Sequence, residues 1–340
     1  MDESALHPWM LRADWREDQR PYVTVDLTCW PVEEPLAPLP PVPVLAHGPA
    51  AHSQARHADI VIESPVSLSA LAAQILKAPH AAATVAQYLR ATEHLPTEHA
   101  LPLESFAYAM LQSGAEHAAW RARHPPAAPL PPGKLHMRRE GATLHLLLDR
   151  PAARNAIDRA MRDDLFEAFA LANLDTSIAH VKLRGTGRCF SMGADLAEFG
   201  TTTDPVEAHA IRARTLPAHQ MIQRAAIYDI HIQGGCVGSG LELAAFAGRL
   251  TAAPDAWFQL PETGMGILPG FGGCVSLPRR IGRQRAAALM LSGKRITAAQ
   301  ALEWRLIDAI IDEPPADERC FHEPGGQALP RLPPRPVQQA

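Results

Sequence analysis

At 340 residues, 47% hydrophobic and 20% charged, the chain is long enough to bury a sizeable core, and its length alone points to about two domains. A formal net charge of −4 argues against a basic nucleic-acid-binding face, and no run of about 18 apolar residues is available to span a bilayer as a helix. The five cysteines (Cys29, Cys189, Cys236, Cys274, Cys320) are odd in number and lack a CxxC pair, and the 16 histidines lack HxxxH or HxH spacing, which predicts reduced thiols in a cytoplasmic protein and no metal site.

The first residues, MDESALHPWM, are acidic and polar, and no secretory signal is expected from them. Tyr22–Thr28 alternates and is rich in β-branched residues, so it reads as a strand. The proline-rich run from Pro31 to Pro43 follows as an extended connector. Ala58–Glu63 is a second short strand. Ser67 is placed to cap a helix over Leu68–Lys77, and helical spacing continues through His80–His94 and Leu103–His124. A second proline-rich stretch, His124–Gly133, marks a domain boundary. Beyond it, Lys134–Arg150 reads as a hairpin turning near Glu140-Gly141. Asp158 is expected to cap a helix running to Leu174, and Ala179–Leu183 is a buried strand. A helix over 204–226, a strand over Tyr228–Gln233, a glycine-rich turn with another helix, and a regular stretch over Thr297–Ile311 complete the α/β alternation. Residues 312–340 are rich in Pro, Gly and Gln, and their composition predicts disorder.

Two glycine turns carry the chemistry. In CFSMGAD (189–195) a strand ends and the chain turns through Gly193; in GGCVGSGLEL (234–243) four glycines precede a helix. Glycine permits positive φ and close backbone approach, and a helix start leaves N–H groups without internal partners. Two such turns meeting in space would aim two backbone N–H groups at one oxygen, as an oxyanion hole does. Each turn alone is an ordinary tight turn, and Glu242 and Glu262 alone read as a helix-start acid and a solvated loop acid.

Taken in order, the pieces resemble a known family. DRPAARNAI (149–157), CFSMGADL (189–196), GGCVGSGLELA (234–244), FQLPETGMGILPGFGGCVSLPRRIG (258–282) and LSGKRITAAQALEWRLID (291–308) make residues 135–311 similar to the enoyl-CoA hydratase/isomerase, or crotonase, family. The resemblance implies an α/β fold, a crotonase-type spiral of ββα units over 134–311. A mostly helical N-terminal domain over 1–133 would precede it. It implies an oxyanion hole from the backbone N–H groups of Ala194 and Ser239, the serine standing where the family usually has glycine. Glu242 and Glu262 are the implied catalytic pair, Glu262 as acid toward the α-carbon and Glu242 as the water-activating partner. Arg154, Met192, Gly193, Asp195, Leu196 and Gly238 are the implied contacts to substrate or CoA. No cofactor is implied beyond the coenzyme A carried by an acyl-CoA substrate, and the implied partner is a second copy of the chain in a homo-oligomer, with neither nucleic acid nor membrane.

The chemistry expected is addition of water to an enoyl-CoA thioester, or its removal. Double-bond isomerisation, a cofactor-independent dioxygenase reaction and a non-catalytic assembly role are the alternatives. His231, in a strand position, reads as packed rather than catalytic, and Cys274 as a small core residue. Family members continue with several helices past the LID segment, and the amphipathic helices of Leu68–Arg123 are expected to cover the face those helices would cover.

Overall fold

The computed structural model describes residues 7–8, 20–126, 128 and 130–312. The polar N-terminus, Cys320 and the Pro/Gly/Gln-rich tail therefore lie almost wholly outside the described residues. Three short strands, β1 (Val23–Asp26), β2 (Val44–His47) and β3 (Ile60–Val61), pair in parallel in the order β1-β2-β3. The first 133 residues are thus not wholly helical: the Pro31–Pro43 run is the crossover of a small sheet. Val23, Val25, Trp30, Leu36 and Val44 form a core of their own beneath it.

Four helices follow: α1 (Leu68–Ile75), α2 (Pro79–Thr92), α3 (Thr97–Gln112) and α4 (Ala115–Arg123). Ser67 caps α1, its Oγ accepting from Ala70 N at 3.3 Å. The helix expected over 103–124 is two helices, because Gly114 is extended (φ −80, ψ 161) and restarts the chain. Ala78 offers α2 no capping side chain. Glu116 of α4 takes over, accepting from His80 N at 2.8 Å and Ala81 N at 3.0 Å.

β4 (Lys134–Glu140) and β5 (Thr143–Asp149) form the expected hairpin, turning through Gly141 at φ +57. Asp158 caps α5 (Arg159–Leu174) through Met161 N at 2.9 Å. β6 (His180–Gly185) comes next. The expected helix over 204–226 divides into α6 (Pro205–Thr215) and α7 (Ala218–Met221), with the break at Leu216, which is extended before Pro217. Then come β7 (Tyr228–Ile232), β8 (Gly235–Val237), α8 (Ser239–Ala244), β9 (Arg249–Ala252), β10 (Trp257–Gln259), α9 (Gly273–Ile281), α10 (Arg283–Ser292), β11 (Ile296–Thr297), α11 (Ala298–Glu303) and β12 (Ala309–Ile310). The last regular stretch is therefore a helix and a strand rather than one element.

The strands form a six-stranded sheet in the order β12-β9-β7-β6-β5-β4, parallel except for the hairpin, and a smaller sheet β11-β10-β8. A strand in one sheet, a short strand in the other and a helix recur along the chain, giving a spiral of ββα units. Leu144, Leu146, Leu147 and Leu148 of β5 are all fully buried, as a strand covered on both faces requires.

The N-terminal helices are not a separate unit. Leu71, Ile75, Val85, Leu89 and Leu101 share one apolar core with Leu277 of α9 and Ala286–Leu291 of α10. Their amphipathic faces had no other large surface to bury against. A buried ion network reinforces the join. Asp59, 1% exposed, pairs with Arg90 of α2 and lies 3.4 Å from Arg283 of α10, which also pairs with Glu93 at 3.0 Å. Removing one partner of such a network leaves a buried charge uncompensated, at a cost of about 3–5 kcal/mol.

Candidate active site

Two glycines bring the two turns into contact. Gly193 has φ +91, and a β-carbon on it would lie 3.2 Å from the Val237 carbonyl oxygen and 3.7 Å from Gly238 Cα. Gly238 has φ +48, and a β-carbon there would stand 2.5 Å from Glu262 Oε1. No side chain fits at Gly238 without displacing that carboxylate. The residues after these glycines, Ala194 and Ser239, both line a cavity of about 250 Å³. Ser239 is the first residue of α8, so its N–H has no partner within the helix. Among the described residues neither N–H donates to a protein acceptor. Two free N–H groups bordering one cavity can receive an oxygen that gains negative charge.

Glu242 sits on the first turn of α8 and is 1% exposed. Its Oε2 accepts from Phe271 N at 2.6 Å and Gly273 N at 2.9 Å. The two amides between and after these are taken by Glu104 of α3, whose Oε1 accepts from Gly272 N at 2.7 Å and Oε2 from Cys274 N at 2.8 Å. Four successive N–H groups at the start of α9 are thus capped alternately by two carboxylates from distant elements. Gly273 permits the approach, since a β-carbon there would stand 2.5 Å from Glu242 Cγ.

Glu262 opens the turn Glu262–Met265 and is also buried. Its Oε2 has no protein hydrogen-bond partner among the described residues. The turn is pinned from α4: His117 Nδ1 lies 2.9 Å from the Met265 carbonyl oxygen. Gly266 lets the start of α4 come so close that a β-carbon would stand 2.6 Å from His117 N.

The three carboxyl groups share one low-dielectric region, and burial pushes all of them above their ordinary range. For Glu242 the rise, to about 7, is held back by the Phe271 and Gly273 amides and by the charge of Arg212. Glu262 is driven well up by burial and by the neighbouring Glu242 charge. Glu104 is driven up by the same two causes against the pull of its two amides. Chemically, the arrangement can stabilise an oxyanion at one point and exchange a proton at another between carboxyl groups of unequal affinity.

The structure brings Glu242, Glu262, Ala194, Ser239, Met192, Gly193, Asp195, Leu196 and Gly238 together around the cavity. The Asp195 carboxylate pairs with Arg150 at 2.8 Å and caps the following turn through Ala197 N. Arg154 is exposed and outside the lining; its backbone is left-handed at φ 51, and its carbonyl accepts from Met192 N at 3.1 Å. His231 is buried with Nδ1 2.9 Å from Thr251 Oγ1, and Cys274 is buried with Sγ 3.4 Å from the Pro269 carbonyl oxygen. Among the described residues no cluster of three His, Cys, Asp or Glu side chains could hold a metal ion, and no helix is long and apolar enough to cross a membrane.

Sequence reasoning missed the wall supplied by α3, α4 and α6, namely Tyr108, Gln112, His117 and Arg212, with Glu104 behind it. Glu104 had one signal. It lies at helical steps from the buried Ala100 and Leu101, so a carboxylate falls on the apolar face of α3.

The enoyl-CoA hydratase/isomerase family model matches residues 138–318. The chain is 34% identical over 178 residues to the 2,3-dehydroadipyl-CoA hydratase of Escherichia coli (strain K12), covering 52% of this chain and 69% of that protein. It is 34% identical over 201 residues to the enoyl-CoA isomerase/hydratase fer4 of Mycosarcoma maydis, covering 56% and 72%. A solved structure of an enoyl-CoA hydratase/isomerase homologue from Mycobacterium abscessus is similar with a TM-score of 0.50 and 32% identity, over 53% of this chain and 71% of that one.

Proposed function

This chain belongs to the enoyl-CoA hydratase/isomerase family, and we propose that it adds water across the double bond of a 2-enoyl-CoA thioester, or removes it in reverse. The observation that carries this reading is the pair of buried glutamates, Glu242 and Glu262, facing one cavity beside the free N–H groups of Ala194 and Ser239. No cofactor is required beyond the coenzyme A of the substrate.

In this reading the thioester oxygen sits between the Ala194 and Ser239 amides. They donate more strongly as it becomes an enolate than in the ground state, which lowers the barrier rather than merely tightening binding. Glu242 takes the proton from a water molecule whose oxygen bonds to the β-carbon, and Glu262 delivers its own proton to the α-carbon. The environments fit the division of labour. Glu242 has two amide donors to stabilise its charge, whereas Glu262 Oε2 has none and lies beside another carboxylate. The group with fewer donors keeps its proton to higher pH.

A panel of 2-enoyl-CoA thioesters, assayed with and without oxygen, tests the reading. The expected product is the 3-hydroxyacyl-CoA, formed equally in both atmospheres. Accumulation of the 3-enoyl isomer, or oxygen consumption, would replace it. Glu262→Gln is expected to lose about two orders of magnitude or more in kcat while binding a saturated acyl-CoA almost as tightly as the parent. Unchanged turnover in that variant would remove Glu262 from the mechanism.

A further inference from the structure

We propose that Arg212 makes an anion-accepting subsite in the wall of the acyl cavity, so that the preferred substrate is a 2-enoyl-CoA thioester with a carboxylate at the end of its acyl chain. The proposal rests on the hydratase reading above.

The guanidinium of Arg212 is half-buried and lines the cavity from α6. It lies 3.7 Å from the centroid of the Tyr108 ring. Its Nη2 donates to Gln112 Oε1 at 3.0 Å and its Nη1 to the Ala208 carbonyl oxygen at 3.3 Å. These partners fix its position and are all neutral. Among the described residues no carboxylate comes within ion-pair distance of it. Two arginines buried more deeply are neutralised by carboxylates: Arg150 pairs with Asp158 and Asp195, and Arg283 with Asp59 and Glu93. A guanidinium offers five N–H donors; Arg212 gives one each to Gln112 and Ala208 and also bonds the Tyr108 side chain, which still leaves donors for a carboxylate.

The place of this charge says which part of the substrate it meets. Arg212 lines the same cavity as Glu242 and Glu262, and its charge acts on the Glu242 and Glu104 carboxyls, so it faces the acyl part of the substrate. The CoA phosphates lie a full pantetheine arm beyond the thioester and are out of range. Phe271, Ile267 and Leu216, which also line the cavity, give the methylenes between thioester and terminus an apolar wall. A cavity of about 250 Å³ is below the range of roughly 300–1,000 Å³ usual for small-molecule sites, which favours a short chain that ends at a specific contact.

Arg212 also has a duller role open to it, offsetting the charge of the three glutamates. The experiment separates the two. Thioesters matched in chain length, one ending in a methyl group and the other in a carboxylate, are assayed with the parent and with Arg212→Met. The readout is the ratio of kcat/KM within each pair, in which any general effect on the glutamates cancels. The parent is expected to favour the carboxylate-ended partner about tenfold or more at its best length. Arg212→Met is expected to lose most of that preference, through KM. A parent ratio at or below one overturns the proposal, and so does a ratio unchanged in Arg212→Met. If Arg212→Met does not fold, Arg212→Gln serves in its place. Should the parent turn over neither thioester, the hydratase reading fails instead. The same ratio is then taken from dissociation constants of the saturated thioesters, and the subsite is decided on those alone.

Discussion

Ser239 separates a backbone role from a side-chain role at a single position. If its N–H is the donor, Ser239→Gly should keep turnover within a few-fold, because the amide survives. Ser239→Pro should lose about 10²–10³ in kcat, because proline has no N–H to offer. Circular dichroism on both variants would show whether α8 still starts there. Glu242 gives a prediction about pH. Its folded-state affinity for a proton, near 7, exceeds the ordinary value of 4.5. The folded protein therefore holds that proton where the unfolded chain has released it. The stability it contributes is fully present below about 4.5 and is lost as pH rises through about 7. The difference in unfolding free energy between the parent and Glu242→Gln should accordingly decline over that window, by on the order of 3 kcal/mol at about 1.4 kcal/mol per pH unit. Denaturant unfolding of both proteins across the window measures it. A flat difference would mean that Glu242 is not shielded from water as its burial implies.

At the scale of elements, the start of α9 organises the site. A helix leaves its first N–H groups unpaired, and here two carboxylates from α3 and α8 satisfy four of them in alternation. The loop at 271–274 presents its amides in turn to Glu242 and Glu104, so the two carboxyls share one frame. Glu104→Gln puts an amide NH₂ against one of two buried N–H donors, and should cost about 1–3 kcal/mol of stability. It should also shift the pH–rate profile, since the Glu104 carboxyl and the Glu242 charge are coupled within one buried region. Glu104→Asp should restore part of both. A stability loss with an unmoved pH profile would make Glu104 a cap and nothing more.

This element also marks how far the sequence could be read. Glu242, Glu262, Ala194 and Ser239 were reached through the resemblance to the family, by their places in GSGLEL, LPETG and SMGAD, since each turn or acid alone reads as ordinary. Glu104 was not. One acid in an amphipathic helix looks solvated unless the partner of that face is known, and its partner lies at the other end of the chain. The same holds for Arg212 and Tyr108, whose meeting depends on how α3 crosses α6. The misplaced helix ends have local causes, Gly114 and Pro217, which periodicity alone passed over.

At the scale of the whole molecule, the question is what α1–α4 do for the rest of the chain. The segment that matches the family begins at residue 138, so none of these helices lies within it. Yet each makes contacts the site or its frame depends on. α1 and α2 share the core with α10, α3 supplies Glu104 and Tyr108, and α4 holds the Glu262 turn through His117. A chain beginning at Lys134 would expose the apolar faces of α9 and α10, with Leu277, Leu289 and Leu291 among the side chains uncovered. Contiguous apolar surface of that kind is rarely tolerated by a soluble protein. It would also leave the Gly272 and Cys274 amides without acceptors and the Met265 turn untied. Such a chain is expected to aggregate or, where it can be kept in solution, to bind acyl-CoA far more weakly and to turn it over at least about a hundredfold more slowly. Supplying residues 20–126 as a second polypeptide should restore part of both, because the join is made by packing and ion pairs across α9 and α10. A chain starting at Lys134 that stays soluble and keeps full activity would show that the site closes without α3 and α4, and the contacts of Glu104 and His117 would then have no part in the chemistry.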